Sequence, residues 1–492
     1  MNLNKLIFIE LKKVFHKKSI YVIYGLMVIF CLLNNILYWM DYDEDGNYKY
    51  IDQTNLNNEV QSLKEELKNY DVENDDDISM YLSIQTKLDL IHLQKKFSSH
   101  SWQYRKVSVY LYELVYQLNY ARYVEKDPDK IDVLVQEYND AIKKLEEDRW
   151  DYFLELEKEK LEQERDVLKS QLKLVVDKKQ QLELEQELLE QEKKLKVVNY
   201  RLENKIKEDS SYLNLALEGY QESEKTIEYY SLFNRARTRL EELEYRNALA
   251  SSKMNQYILN NKQNVNKQNN LNYQLRTIVE DYEIFIIILL LIVSSTIICD
   301  EFRDGTIKLL LIKPYSRCKI LLSKYFASVI VMGISILFLI LVQFMIGSAI
   351  FGFDSLKIPV VVYHFRLSKI TTYSVFIYMM IRILAKLPLL LMLLSLSFLL
   401  GILFCSNVVA ISIPLMIYMF SSSIHSLAVQ YHLKFMRYFV SMNWNFQDYL
   451  FGGISDFEFI YFRFSCVIWL LYFIIIGVLA WISFNKKNIR NI

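Results

Sequence analysis

Between Cys299 and Lys324 the chain gathers charge, a turn position and a helix stop into one short run: Glu301, Arg303, Gly305, Thr306, Leu310, Leu311, Pro314, Ser316 and Arg317. Such a set holds a partner or passes on a force; it does not make or break bonds. Asp300 and Glu301 leave the end of an apolar run. Ile307, Leu310 and Leu311 then share one face of a short amphipathic helix. Pro314 stops that helix, and Ser316 can cap the next one. A short helix tied to two apolar segments is a mechanical lever. The six Lys and Arg of 300–325 would equally let it grip anionic headgroups.

Bond-making chemistry lacks its usual signatures. No glycine precedes a lysine, so the G-x-x-x-x-G-K-[ST] phosphate loop is missing, as are Cys-x-x-Cys and H-E-x-x-H. The histidines are scattered, and His92 and His100 read as surface residues of a helix. No catalytic residue, no metal ligand and no cofactor of the chain's own is expected, and nucleic acid is not among the expected partners. Within the apolar segments the most polar groups are Asn34, Asn35 and Gln343, suited to hydrogen bonds between helices or to contact with a substrate. Ionisable residues, which carry coupling in ion-driven transporters, are missing from those segments as drawn. Any energy for transport must then come from another subunit.

The elements that position this loop follow from hydropathy. Six segments approach the roughly 17–25 apolar residues that cross a ~30 Å hydrocarbon core: Ile20–Met40, Ile284–Cys299, Phe326–Phe351, Leu387–Phe404, Val408–Ile424 and Cys466–Phe484. The run at 20–40 is too long for a cleaved signal and reads as an anchor that stays in the bilayer. With the N-terminus inside, segments 1–19, 300–325 and 485–492 carry fourteen Lys and Arg, against eight in 352–386 and 425–465. That balance favours both termini in the cytoplasm. The five basic residues of 352–386 fit this poorly unless 370–386 lies as an interfacial helix.

Residues 41–283 are of a different kind. They hold 50 acidic and 36 basic residues, a net of −14, while the rest holds 8 and 22, a net of +14. A chain split in this way works in two solvents. With one proline (Pro128) and two glycines (Gly46, Gly219), the insertion must form long helices. Leu154, Leu161, Leu168, Val175, Leu182 and Leu189 recur every seven residues, the period of a coiled-coil seam, and Leu188, Leu195 and Leu202 carry the stripe on. Two helices of about 78 and 70 residues in an antiparallel hairpin would reach on the order of 100 Å. The expected fold is therefore an all-α membrane protein, six transmembrane helices with a long helical, coiled-coil extracellular domain between the first and second. Its parts are a cytoplasmic interfacial helix at 1–19, the first transmembrane helix at 20–40, the domain at 41–283, and a five-helix body at 284–492 with a cytoplasmic loop at 300–325.

The loop gives the clearest family likeness. Glu301, Gly305, Thr306, Leu310, Leu311, Pro314, Ser316, Arg317 and Lys324 resemble the E-x3-G-T-x3-L-L-x2-P-x-S-R loop of ABC-2 type transporter permeases. The basic amphipathic stretch before the first span resembles the N-terminal interfacial helix of those permeases. The aromatic segment holding Trp444, Phe446 and Phe451 resembles their half-inserted outer helices. The resemblance implies a coupling helix in 300–325 that docks into a separate ABC ATPase subunit, which would use the ATP and Mg, and a second permease subunit, identical or different. The insertion after the first span departs from that plan and leaves the substrate open. An acidic outer domain could attract cationic peptides, or its charges could merely solvate a coiled coil. A non-transporting cell-surface scaffold of the phage-infection-protein or secretion-accessory type has the same outline.

Overall fold

The computed structural model describes residues 3–42, 53–70, 77–175, 177–232, 235–305 and 316–487. Among these the chain is almost wholly helical, with a single pair of short strands. It divides into two compact units, Lys49–Glu218 and a unit built from Met1–Tyr48 with Gly219–Ile492. Residues 219–283, expected in the insertion, therefore belong with the apolar helices.

Helices α1 (Leu3–Phe15) and α2 (Lys18–Asp41) open the chain. The Lys49–Glu218 unit holds α3 (Gln53–Leu67), α4 (Ile78–Lys96), α5 (Trp102–Ser108), α6 (Tyr110–Tyr120), α7 (Pro128–Glu146), α8 (Trp150–Leu172) and α9 (Lys178–Asn204). Pro128 begins α7 at the position where a missing N–H costs nothing, and Asp127 caps it. Trp102, Val107, Leu111, Leu145 and Phe153 close one core among these helices.

Here the long-helix expectation fails. The seven-residue repeat runs straight across the break between Leu172 and Lys178, where Asp177 accepts from the Lys179 N–H and starts a new helix. α8 and α9 are 23 and 27 residues long and pack as an antiparallel pair. Leu154, Leu161 and Leu168 are buried; Val175 lies in the break; Leu182 and Leu189 are 57% and 50% exposed. The face that α9 turns to α8 is set by Leu195 and Leu202, where the stripe was expected to continue, together with Val198. Lys169 pairs with Glu192 beside that seam.

Helix α10 (Tyr212–Ser231) runs across the division between units, and α11 (Arg239–Asn261) follows behind a Thr238–Glu241 capping box. Next come α12 (Leu271–Arg276), α13 (Ile278–Arg303), α14 (Arg317–Phe351), the strands β1 (Val360–His364) and β2 (Lys369–Tyr373), then α15 (Val375–Phe404), α16 (Asn407–Gln430) and α17 (Phe462–Lys486). Six of these, α2, α13, α14, α15, α16 and α17, are long and apolar enough to cross a membrane. The protein is thus a helical membrane protein. α13 is apolar all round and lies at the centre, packing on α14, α15 and α16.

Two further expectations change. Residues 370–386 are not one interfacial helix: β2 pairs antiparallel with β1, Val362 opposite Thr371, and α15 begins at Val375. The β-branched run Val360–Val362 favours a strand, and Ser368, at φ 48°, helps turn it back. The aromatic segment before α17 forms 3₁₀ turns at Lys434–Tyr438, Val440–Met442 and Phe446–Gly452. Phe365 N–H donates to Phe451 O at 2.9 Å, joining the hairpin to that segment.

Candidate functional site

The site begins with a misplaced charge. Glu10 lies on α1 four residues from both Leu6 and Val14, so helical geometry sets it on their apolar face. All three are buried, Glu10 to 3% exposure. A buried carboxylate needs a cation close by. Lys324, near the start of α14 and only 1% exposed, supplies it. Its Nζ lies 3.2 Å from Glu10 Oε2 and 2.6 Å from Glu301 Oε2, and also donates to Ile297 O at 3.2 Å. Lys13 closes the ring, donating to Glu10 Oε1 at 3.2 Å and Glu301 Oε1 at 2.7 Å. Burial opposes the charge on Lys13, but the hydrogen bond and charge of Glu301, with Glu10 behind it, outweigh this and hold its pKa above the ordinary lysine value. Two lysines and two glutamates alternate in a neutral ring that joins α1, α13 and α14.

A second layer surrounds it. Asp300 accepts from Lys17 Nζ at 2.6 Å and from Asn407 Nδ2 at 2.8 Å, tying α13 to the α1–α2 joint and to the start of α16. Arg303 pairs with Asp300 and Asp304. α13 ends there, and Gly305 takes a φ of +67°, a conformation that glycine adopts without strain. Ser316 accepts from the Lys319 N–H and starts α14, and Arg317 donates to Asn485 O at 2.6 Å at the end of α17. Lys487 reaches the Ile402 and Leu403 carbonyls at the end of α15. All six apolar helices are thus tied at the end that carries the 304–316 connection.

Of the residues singled out in the sequence, Glu301, Arg303, Gly305, Ser316 and Arg317 gather at this end. Thr306, Leu310, Leu311 and Pro314 lie outside the described residues. Sequence reasoning passed over Glu10 and Asn407, and gave Lys13, Lys17 and Lys324 no ion-pair partner. One signal was present: Glu10 is the sole acidic residue of 1–19 and sits in phase with Leu6 and Val14.

The opposite end of the helices carries charge as well, just outside the apolar windows, which themselves hold no ionisable residue. α13 and α15 extend beyond the apolar windows, and their added turns meet. Arg382 pairs with Glu280, which also accepts from Gln447 Nε2 at 3.1 Å, and Lys386 pairs with Glu283 at 2.8 Å. Partners three and four residues apart on facing helices cancel one another, so these charges are tolerated at the helix ends. Deeper in, Asn35 and Gln343 exchange hydrogen bonds at 3.0 and 3.1 Å, linking α2 to α14, and Tyr282 OH donates to Gln343 Oε1 at 3.1 Å.

Comparison with known proteins adds a boundary rather than an activity. A family model described as "Protein of unknown function (DUF2705)" matches residues 247–490, from within α11 to beyond α17. The chain is similar to the "Uncharacterized protein YhcI" of Bacillus subtilis (strain 168), 24% identical over 202 residues. That match covers 41% of this chain and 64% of the relative, so the chain spans under two thirds of the relative's length. No solved structure matches.

Proposed function

We propose that this chain is the membrane-spanning permease subunit of an ATP-binding-cassette transporter, driven by a separate ATPase subunit and paired with a second permease subunit. In this reading both termini and the 304–316 connection face the cytoplasm, residues 41–283 carry a coiled coil outside the cell, and the spans bound a path through the lipid bilayer. The chain itself binds no nucleotide. The cargo class is peptides or other amphipathic compounds, exported or resisted. The acidic insertion suits cationic cargo through long-range attraction.

The observation that carries this reading is the ring around Lys324. Glu301, at the root of the 304–316 connection, is held at once by α14 and α1. A push on that connection is delivered to three elements together, as a coupling loop requires. The test is co-purification with any ABC ATPase subunit encoded in the gene's neighbourhood. Glu301→Ala and Gly305→Trp should each weaken assembly and abolish protection against cationic peptides; retention of both properties in both variants rejects the reading.

A second reading, a non-transporting cell-surface scaffold, draws on the exposed Leu174, Leu182 and Leu189 around the α8–α9 break, which offer apolar contact to another protein. It requires no ATPase, so stable recovery of the chain without one, together with unchanged peptide sensitivity on gene deletion, would favour it.

A further inference from the structure

The short helix α12 is unlike its neighbours. Six residues long, it follows a non-helical stretch at 262–270 that begins with Lys262 in the left-handed region, and a break at Thr277 separates it from α13. It nevertheless lies deep. Leu271, Gln274 and Leu275 are fully buried against α14 and α15. Irregular backbone at membrane depth is tolerated only where protein covers it. Gln343 lies eight residues before the end of α14, so the seat is roughly 12 Å in from that helix end at 1.5 Å per residue.

The seat is shaped for this helix. A Cβ on Gly347 would come within 2.8 Å of Leu271 Cδ1, so the absence of a side chain there admits Leu271. The seat is also incompletely polar. Gln343 Nε2 reaches Gln274 Oε1 at a long 3.4 Å, while Gln274 Nε2 is buried with no partner. Gln343 is otherwise satisfied by Asn35 and Tyr282, whether or not α12 is present. A permanently packed element gains nothing from a buried, unpaired amide, which water would satisfy on withdrawal. A leucine or methionine would fill such a place better.

Two clasps tie α12 to the segments around it. Asn272 Nδ2 donates to the carbonyls of Ser355 and Ile358, and Arg276 donates to Val265 O. α11 in turn sits on β1, with Arg246 over the Phe365 ring and donating to Gly452 O. The 262–270 lead-in, the 354–358 turn and the hairpin therefore form one connected cover, and α12 is its inward-pointing part.

We propose that α12 is a detachable wedge: seated, it holds α14 and α15 together at this end of the bundle, and its withdrawal with the cover opens the seam between them. The device does not depend on what, if anything, the protein transports.

The test places one reporter cysteine at Leu275 in full-length protein whose five native cysteines are replaced, reconstituted in lipid nanodiscs and labelled with a charged maleimide. Gly347→Leu crowds the seat and should raise the labelling rate about tenfold through local opening. Gln274→Met removes the unpaired amide and should slow labelling several-fold below the parent. A second reporter at Leu393, in the core of α15, should stay unlabelled throughout. Where Gly347→Leu fails to elute as a single species, Gly347→Ala takes its place with a smaller rise. Unchanged labelling in the Gly347 variant, faster labelling in Gln274→Met, or parallel labelling of Leu393 overturns the proposal. The Gln274→Met arm separates the wedge from a merely structural helix, for which loss of a buried amide contact would loosen the fold.

Discussion

Lys324 is the most exacting residue of the molecule. It is only 1% exposed to solvent, and Glu10 and Glu301 lie within 3.2 Å of its Nζ. Removing one member of a buried pair leaves the other's charge without compensation, which costs about 3–5 kcal/mol. Lys324→Met is therefore expected to lower thermal stability in detergent by about 3 kcal/mol, cushioned by Lys13, and adding Glu10→Gln should restore part of it. A double variant no more stable than the single one would mean that the ring is not coupled. The pH dependence has a definite sign. The folded pKa of Lys13 lies above 10.5, so its contribution is complete below pH 10.5 and fades as pH rises through the folded value. The ring was only half legible in the sequence. Helical phase betrayed Glu10, but nothing in the order of residues told which of the nearby lysines would reach it. Lys324 stood outside the apolar window, where hydropathy reads a charge as a boundary instead of as a buried partner.

At the level of elements, the apolar spans were readable because lipid demands long uncharged stretches, and their helices differ from expectation chiefly by extra turns at the ends. The α8–α9 pair shows where periodicity misleads. The break between Leu172 and Lys178 preserves a spacing of seven between Leu168, Val175 and Leu182, so the repeat counts onward while the chain has reversed. Spacing records residue number; packing depends on which way a face points. Leu161→Ala should cost about 2–4 kcal/mol and speed amide exchange along α8 and α9 in the intact protein. Leu182→Ala should stay within about 0.5 kcal/mol, as an exposed substitution does. Equal effects at the two positions would imply that a further helix covers Leu182 in solution. The strand pair was missed because its neighbours read as loop, although three successive valines after Pro359 were the available signal.

For the whole molecule, the division of charge told that two environments are involved, but not where one ends. The contrast of −14 and +14 was drawn at 283, whereas the compact unit of the spans reaches back to Gly219, and the matching family model starts at residue 247. Residues 219–283 are polar enough to look like the insertion because they cover one end of the helices, against β1 and the 3₁₀ turns, and not because they leave it. The proposed sidedness has a direct check. A cysteine at Leu182 should react with an impermeant maleimide on intact cells, and Cys318, exposed near the start of α14, should react only after permeabilisation. The reverse pattern would invert the topology and remove a cytosolic engine's access to the 304–316 connection.

α13 contains neither proline nor glycine, unlike α15 with Pro388 and α16 with Pro414. Its 26 residues make a rod about 39 Å long with no proline or glycine to kink it. Ion pairs fasten it at both extremities, through Glu280 and Glu283 at one and Asp300 and Glu301 at the other. Under the proposed function, a stroke applied at one end of this helix would therefore reach the other with little loss, as in a piston, while the helices beside it carry the prolines at which bending concentrates.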